Sequence, residues 1–349
     1  MGFFKPNVSK LVENKDLKGL AKALESRDEG IVRSARDALV RIGEPAAAEM
    51  EALLLKGKQK AILPAVDVLS SIAGNSGIQG LKTALRSPDS EVRLQAVRGL
   101  GKIATAQAAE TILDALNEQD STIGREMIDV LVRIGRPITQ KIEEAATCKI
   151  VELSGEKDGK PAVIEGNLER SDIVRIRASA VLANIATAES INALAKALKD
   201  RNLNVRFNAV SGLSAIKDQR AAELLFQALT DSAVDVRDLA EKKMGKFDVS
   251  LIPESLLRSL LEKEETIIRT WADRLLHKKG TRLGKCANCS TWVYLNDAVF
   301  LERQEEPSER DEYYGVQSLL VKTKSCPSCQ KPLLDPVTGK PLEERSYVT

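Results

Sequence analysis

Aliphatic, small, Leu-like and Ile-like residues recur along this chain at spacings of four, four and three. In register they read Ile31/Ala35/Leu39/Ile42, Ala61/Ala65/Leu69/Ile72, Val92/Ala96/Leu100/Ile103 and Ile123/Met127/Leu131/Ile134. After a break come Val174/Ala178/Leu182/Ile185, Val205/Ala209/Leu213/Ile216 and Val236/Ala240/Met244/Phe247. Positions i, i+4, i+8 and i+11 stay on one face at 3.6 residues per turn, so each set predicts one amphipathic helix. A second helix is expected after each, anchored thirteen residues on by Leu55, Leu85, Leu116, Leu198, Leu229 and Leu260. Leu24 fits one period earlier and predicts a lone helix around Leu17 to Leu24 at the N-terminal end. The stripes end at 42, 72, 103, 134, 185, 216 and 247, in steps of 30, 31, 31, 51, 31 and 31. This periodicity predicts a mainly α protein, an α-solenoid of about seven helix pairs over residues 1–280.

Ala at the second stripe position lets neighbouring helices approach closely, and Met127 and Trp271 depart from it. Trp271 belongs to a final half-stripe, Ile267/Trp271/Leu275, where it either fills an end-cap core or seats whatever follows. The long step carries an insertion at about 148–170. Lys149–Leu153 and Ala162–Ile164 read as two short strands around a turn containing Asp158-Gly159. Such an insertion is either tolerated decoration or a ligand contact.

Asp89-Ser90-Glu91-Val92-Arg93-Leu94-Gln95-Ala96 and Asn204-Val205-Arg206-Phe207-Asn208-Ala209 resemble the Asp…Val-Arg-x-x-Ala signature of the HEAT repeats, in particular the short bacterial and archaeal phycobilin-lyase type. The resemblance covers about residues 12 to 278. It implies a ladder of ion pairs between helix pairs, with Arg93, Arg175, Arg206 and Arg237 matching on the basic side and Asp28, Asp89 and Asp120 on the acidic side. Arg33, Arg125 and Arg269 stand one place later in their repeats. A phosphate track is the other reading of such a row.

Residues 281–349 change in character. Cys286-x-x-Cys289 and Cys326-x-x-Cys329 supply four thiolates in the pairing that zinc favours, and they resemble a zinc ribbon with one structural ion. Strands are expected at Thr291–Leu295 and Ser318–Val321. Lys285, Lys324 and Lys331 lie near the ligands and are expected to offset the charge of four thiolates. The 36-residue gap between the knuckles is long, and its excess, about 302–312, reads as an acidic mobile loop. Half of the twelve aromatic residues fall in this last fifth of the chain. Tyr313 and Tyr314, with Trp271, are therefore the candidate partner-binding residues.

Composition narrows the function. Apolar residues make up 43% and charged residues 29%, as in a folded soluble protein, and 52 Lys and Arg against 50 Asp and Glu leave no global basic field. Met1–Pro6 lack the apolar core of a signal peptide, and no later stretch has the length of a membrane span. Four of the five cysteines fall in the two knuckles, with Cys148 alone, so a cytoplasmic protein is expected. The single histidine, His277, leaves no material for a His-rich catalytic metal site such as that of the deoxyhypusine hydroxylases. The chain therefore reads as a non-enzymatic scaffold or adaptor that binds a protein partner through the solenoid and the zinc ribbon. The alternative is a nucleic-acid-associated factor using the basic joint Lys278, Lys279, Arg282 and Lys285, supported by Lys56, Lys58 and Lys60. A bilin-lyase-like role rests on the family resemblance alone. A Cys326→Ser substitution is expected to cost the zinc and melt only the C-terminal module.

Overall fold

Short polar side chains start the stripe helices by satisfying amides that the first turn leaves unpaired. Asp28 accepts from the Gly30 N–H at 3.0 Å, Asp89 from Glu91 at 2.9 Å, Asp120 from Thr122 at 2.8 Å and Asn202 from Asn204 at 2.9 Å. They open the helices Glu29–Ile42, Ser90–Ile103, Ser121–Ile134 and Leu203–Ala215. The computed structural model describes residues 6–72, 74–135, 138–146, 154–157, 160–163, 166–313 and 316–348. Its contacts divide the chain into two compact units, Met1–Ile216 and Lys217–Thr349. The division falls within the repeats, whereas the composition changes near residue 280.

In the first unit, stripe helices pack on one another in chain order: Glu29–Ile42, Gln59–Ser71, Ser90–Ile103, Ser121–Ile134, Gly166–Ile185 and Leu203–Ala215. Shorter helices such as Asn75–Ala84, Ala106–Leu113 and Ile191–Ala197 alternate with them. The predicted stripe is the core. Ala35, Leu39, Ala65, Leu69, Ala96, Leu100, Leu131, Ala178, Leu182, Ala209 and Leu213 are all fully buried. The insertion leaves this order intact, because Gly166–Ile185 packs against Ser121–Ile134 as the next stripe helix should.

Several expectations are corrected. The N-terminal helix Leu17–Ala23 has a companion, Val8–Glu13. Leu55 is 67% exposed and not an anchor; the step of its repeat is one residue short, and Leu53 and Leu54 beside it are half-buried. In the insertion, the strands are Ser154–Lys157 and Lys160–Val163, with Lys157 paired to Lys160. The first strand thus lies later than the apolar run 149–153; that run, Cys148 and the Asp158-Gly159 turn lie outside the described residues.

The expected ion-pair ladder takes a different form. Arg93, Arg206, Arg237 and Arg269 each aim one nitrogen at two carbonyls of the loop before their own helix: Ser87 and Pro88, Asp200 and Arg201, Asp231 and Ser232, Lys263 and Glu264. A cation there satisfies acceptors left over where the preceding helix ends. The signature Asp residues cap helices, and the acids that pair between layers stand elsewhere. Arg93 Nε reaches Glu118 at 2.8 Å and Arg175 Nε reaches Asp200 at 2.7 Å, each twenty-five residues on. Burial opposes ionisation of Glu118, but the Arg93 pair and the Asp120 and Gln119 amides outweigh it and hold the carboxyl below its ordinary pKa.

The layer of Ser121–Ile134 has no arginine in this place. Gly124 occupies the place, four residues after the helix-capping Asp120, that Arg93 occupies after Asp89. A Cβ at Gly124 would run into the guanidinium of Arg177, which comes from the helix beyond the insertion. Arg177 Nη1 donates to the carbonyls of Leu116 and Glu118 at 2.7 and 2.6 Å. The missing cap is thus supplied by the next layer.

The second unit begins with the helices Gln219–Ala228, Val234–Met244, Glu254–Leu260 and Thr266–Lys278, and continues into two antiparallel three-stranded sheets. In the first sheet Leu283–Cys286 lies between Trp292–Tyr294 and Leu333–Leu334; in the second Ser318–Ser325 lies between Val299–Glu305 and Glu343–Val348. Most of the expected acidic loop is therefore ordered. Residues 302–305 are strand and Glu309–Tyr313 is a short helix. Glu302 pairs with Lys322 at 2.7 Å and Arg303 pairs with Glu343 at 2.8 Å, so cross-strand partners take up the charge that a loop would leave to water. Among the described residues, no helix is long and apolar enough to cross a membrane.

Candidate metal centre

The two Cys-x-x-Cys turns fold the same way because the same bonds close them. In the first, Ser290 N–H donates to the Cys286 carbonyl at 3.1 Å and Cys286 N–H to that of Thr291 at 2.9 Å. In the second, Gln330 N–H donates to the Cys326 carbonyl at 2.8 Å and Cys326 N–H to that of Lys331 at 2.9 Å. Ser290 and Gln330, each just after its turn's second cysteine, take left-handed conformations with φ of 56° and 55°. This bend closes each turn without glycine, at some backbone cost. Asn288 and Cys289 amides point at Cys286 Sγ, both at 3.4 Å, where they favour a thiolate.

The long gap between the knuckles does not separate them. Cys286 Sγ lies 3.4 Å from Cys329 Sγ and Cys289 Sγ lies 3.9 Å from Cys326 Sγ, and all four sulfurs fall within 4.8 Å of one another. Bonds of about 2.3 Å in a tetrahedron separate sulfurs by about 3.8 Å, so the set fits one ion. Cys286 and Cys326 are buried with Val293 and Leu333, while Cys289 is exposed. The Thr291 hydroxyl and amide lower the Cys289 thiol to about 6. The Lys331 amide, and after it the Cys286 thiol, lower Cys329. At Cys286 the Cys289 amide works downward, but burial and the bonds from neighbouring thiols push the group to about 11.

The lysines expected to balance this charge are directed elsewhere. Lys285 pairs with Glu262 and lies 5.4 Å over the Trp292 ring; Lys324 pairs with Glu344 and lies over Phe300. Lys331 is exposed. Amide dipoles around the sulfurs are the nearer compensation.

A seat for the ribbon, invisible in the sequence, emerges around Glu262 and Glu254. Trp292 Nε1 donates to Glu262 at 2.7 Å, and Tyr294 hydroxyl to Glu254 at 3.2 Å. Arg258 bonds both Glu254 and the Tyr294 hydroxyl and lies 4.8 Å over the Tyr294 ring. Thr281 Oγ1 donates to Glu254 at 3.2 Å, and Arg269 reaches the Val337 carbonyl at 3.3 Å. Glu262 stands twenty-five residues after Arg237, the place Glu118 holds after Arg93, but receives ribbon side chains. The Arg258 bond lowers the Glu254 pKa and the Lys285 bond lowers that of Glu262. Only this register position could have signalled the seat.

The other expected site residues scatter. Trp271 is buried within Thr266–Lys278 under Arg274, 5.2 Å from its ring, and its Nε1 has no hydrogen-bond partner. The end-cap reading fits it better than the seating role, which Trp292 and Tyr294 take. Tyr313 ends the short helix Glu309–Tyr313, while its side chain and the whole of Tyr314 lie outside the described residues. Lys278 donates to the Gly245 carbonyl at 3.1 Å, Lys279 caps its helix and Arg282 is exposed. With Lys285 held by Glu262, the four do not form one open basic patch. His277 Nε2 lies 3.5 Å from Asp273 on an exposed helix face. Burial raises the Asp273 carboxyl, countered by His277 and reinforced by Asp335.

Residues 78–149 and 162–245 match the family model of the HEAT repeats, and the gap between the two matches falls in the insertion. No curated protein matches the chain by sequence. Among solved structures, human deoxyhypusine hydroxylase in complex with glycerol is similar at 16% identity and a TM-score of 0.31, over 77% of this chain and 98% of that one. An engineered protein is similar at 19% identity and a TM-score of 0.24, over 79% and 91%. Kap121p bound to Pho4p is similar at 12% identity and a TM-score of 0.49, over 77% of this chain and 34% of the other.

Proposed function

We propose that this HEAT-repeat protein is a non-catalytic scaffold that binds a protein partner across its stripe helices, with a zinc ribbon closing its last repeats. The observation that carries the reading is the set of large apolar side chains left exposed on those helices, with Leu63 at 40% on Gln59–Ser71 and Leu203 at 42% and Phe207 at 38% together on Leu203–Ala215. Fully buried stripes leave such residues no core to serve, and apolar side chains rimmed by polar ones are the substance of partner surfaces.

Zinc is the ion that four thiolates at these spacings suit best: it has no geometric preference of its own and accepts a closed tetrahedron of sulfur. The residues that would hold it are Cys286, Cys289, Cys326 and Cys329. Closed four-sulfur coordination leaves no position for substrate, so the ion's work is to hold the ribbon together. Thiols outside disulfides suit a reducing, cytoplasmic setting. The engagement of Lys285 by Glu262 weighs against nucleic acid at the basic joint.

Cross-linking of the full chain in native extract, followed by mass spectrometry, tests the scaffold. Cross-links to one protein mapping to the exposed face of the stripe helices are expected; recovery of nucleic acid alone would defeat the reading. Metal analysis of the purified chain is expected to give one zinc per molecule.

A further inference from the structure

A groove of ≈ 450 Å³ runs over the stripe helices of the first three repeats. Its floor is the exposed side of Gln59–Ser71, where Leu63 stands 40% exposed beside Pro64, and Val32 from Glu29–Ile42 continues the apolar surface. The walls are basic. Arg33 and Arg36 rise from one neighbouring helix and Arg98 and Lys102 from the other, against two acids, Glu29 and Asp67. Asp67 is shared, one oxygen holding Arg36 at 3.2 Å and the other Lys102 at 3.5 Å; Arg36 also pairs with Asp37 at 3.1 Å, which leaves Lys102 with a shared acid only. Arg98 lies 3.5 Å from Glu126 outside the groove, and among the described residues Arg33 has no carboxylate within ion-pair distance. Arg33 stands five residues after the helix-capping Asp28, where Arg93 stands four after Asp89, and it lines the groove wall.

We infer that this groove binds a short acidic peptide segment of a partner protein, with an apolar side chain over Leu63 and Pro64 and carboxylates on Arg33 and Lys102. The inference deepens the scaffold reading and rests on it. The pre-fixed cations lose little freedom on meeting a carboxylate, and the apolar floor contributes what charge alone would not. A nucleic-acid strand fits less well: the groove offers no aromatic ring for a base to stack on, and Glu29 and Asp67 would face phosphates.

The test is selection from a random peptide library displayed on phage against the immobilised full chain, followed by fluorescence anisotropy of the enriched peptides. Enrichment of sequences pairing Asp or Glu with a large apolar residue is expected. Arg33→Glu and Leu63→Ser should each weaken their binding about tenfold or more, and binding should fall with added salt. Both side chains face the groove, so unchanged thermal melting is expected of the variants; Leu55→Ser, on an exposed site outside the groove, should bind as wild type. Enrichment of basic or uncharged peptides, affinity unaffected by both groove substitutions, or tighter binding of single-stranded RNA than of any selected peptide would each overturn the inference. If cross-linking in extract still finds the same partner with the Arg33→Glu chain, the scaffold reading stands and only the groove assignment falls.

Discussion

The two compact units share their loop-capping arginines, Arg93 and Arg206 in one and Arg237 and Arg269 in the other, and differ in what covers their helices. In Met1–Ile216 each layer is covered by the next, so the work is done by buried aliphatic stripes, with Arg93, Arg177 and Arg206 tying up stray loop carbonyls. In Lys217–Thr349 the final helices have no further repeat to cover them, and Trp292, Tyr294 and Lys285 from the ribbon take the place of the missing layer. The difference teaches that a repeat array ends by redirecting interlayer positions to a new partner. Glu262 keeps the register of a layer acid and changes only what it receives.

The sharpest way to break this comparison is to remove the metal. Structural zinc in small modules is worth about 10–16 kcal/mol of apparent binding energy, far more than such a module holds in reserve. Cys326→Ser is therefore expected to abolish metal binding and unfold the ribbon. Because the ribbon is seated on Glu254–Leu260 and Thr266–Lys278, hydrogen exchange should also quicken in those helices, beyond the melting of the C-terminal module alone that composition suggests. Unchanged protection of both helices would show the seat to be energetically idle.

Next in size is the aliphatic core of the first unit. Leu100→Ala, at a fully buried position, should cost about 2–5 kcal/mol in denaturant unfolding while leaving metal content at wild type. Arg177→Ala should cost about 1–3 kcal/mol by leaving the Leu116 and Glu118 carbonyls without their donor. A chain carrying Gly124→Arg as well should recover part of that loss if the two positions share one task; no recovery would separate them.

Smallest is the seat itself. Glu262→Gln removes an ion pair that is about half exposed, so solvent screening limits its cost to under about 1 kcal/mol. Its signature is in the pH dependence. The pKa values of Glu254 and Glu262 are lowered on folding, so their contribution is present above the ordinary carboxylate value of 4.5 and is lost as pH falls below it. Exchange protection of Glu254–Leu260 should drop through that range in the wild type and drop less in Glu262→Gln.

The fold was legible because helical periodicity is a local property repeated many times: Ala96 and Leu100 announce their burial from spacing alone. The thiolate cluster was legible for a similar reason, since Cys-x-x-Cys fixes its own turn. What escaped depends on pairing across the chain. Glu302–Glu305 reads as a loop until Lys322 and Glu343–Val348 are known to lie alongside it. The roles of Glu262 and Trp292 could not be separated from those of any surface acid and ring, because thirty residues and a change of structure class divide them. Leu55 failed for a smaller reason, a single-residue slip in a frame assumed rigid.

Gly124 and Arg177 are a lock and its key cut on different pieces of metal. A copying event that duplicated one layer without the other would inherit either a hollow with nothing to fill it or a guanidinium with nowhere to go. The smallest heritable block on this stretch of the chain therefore spans both layers together with the hairpin between them, and recombination that trims or multiplies repeats here should respect that larger grain.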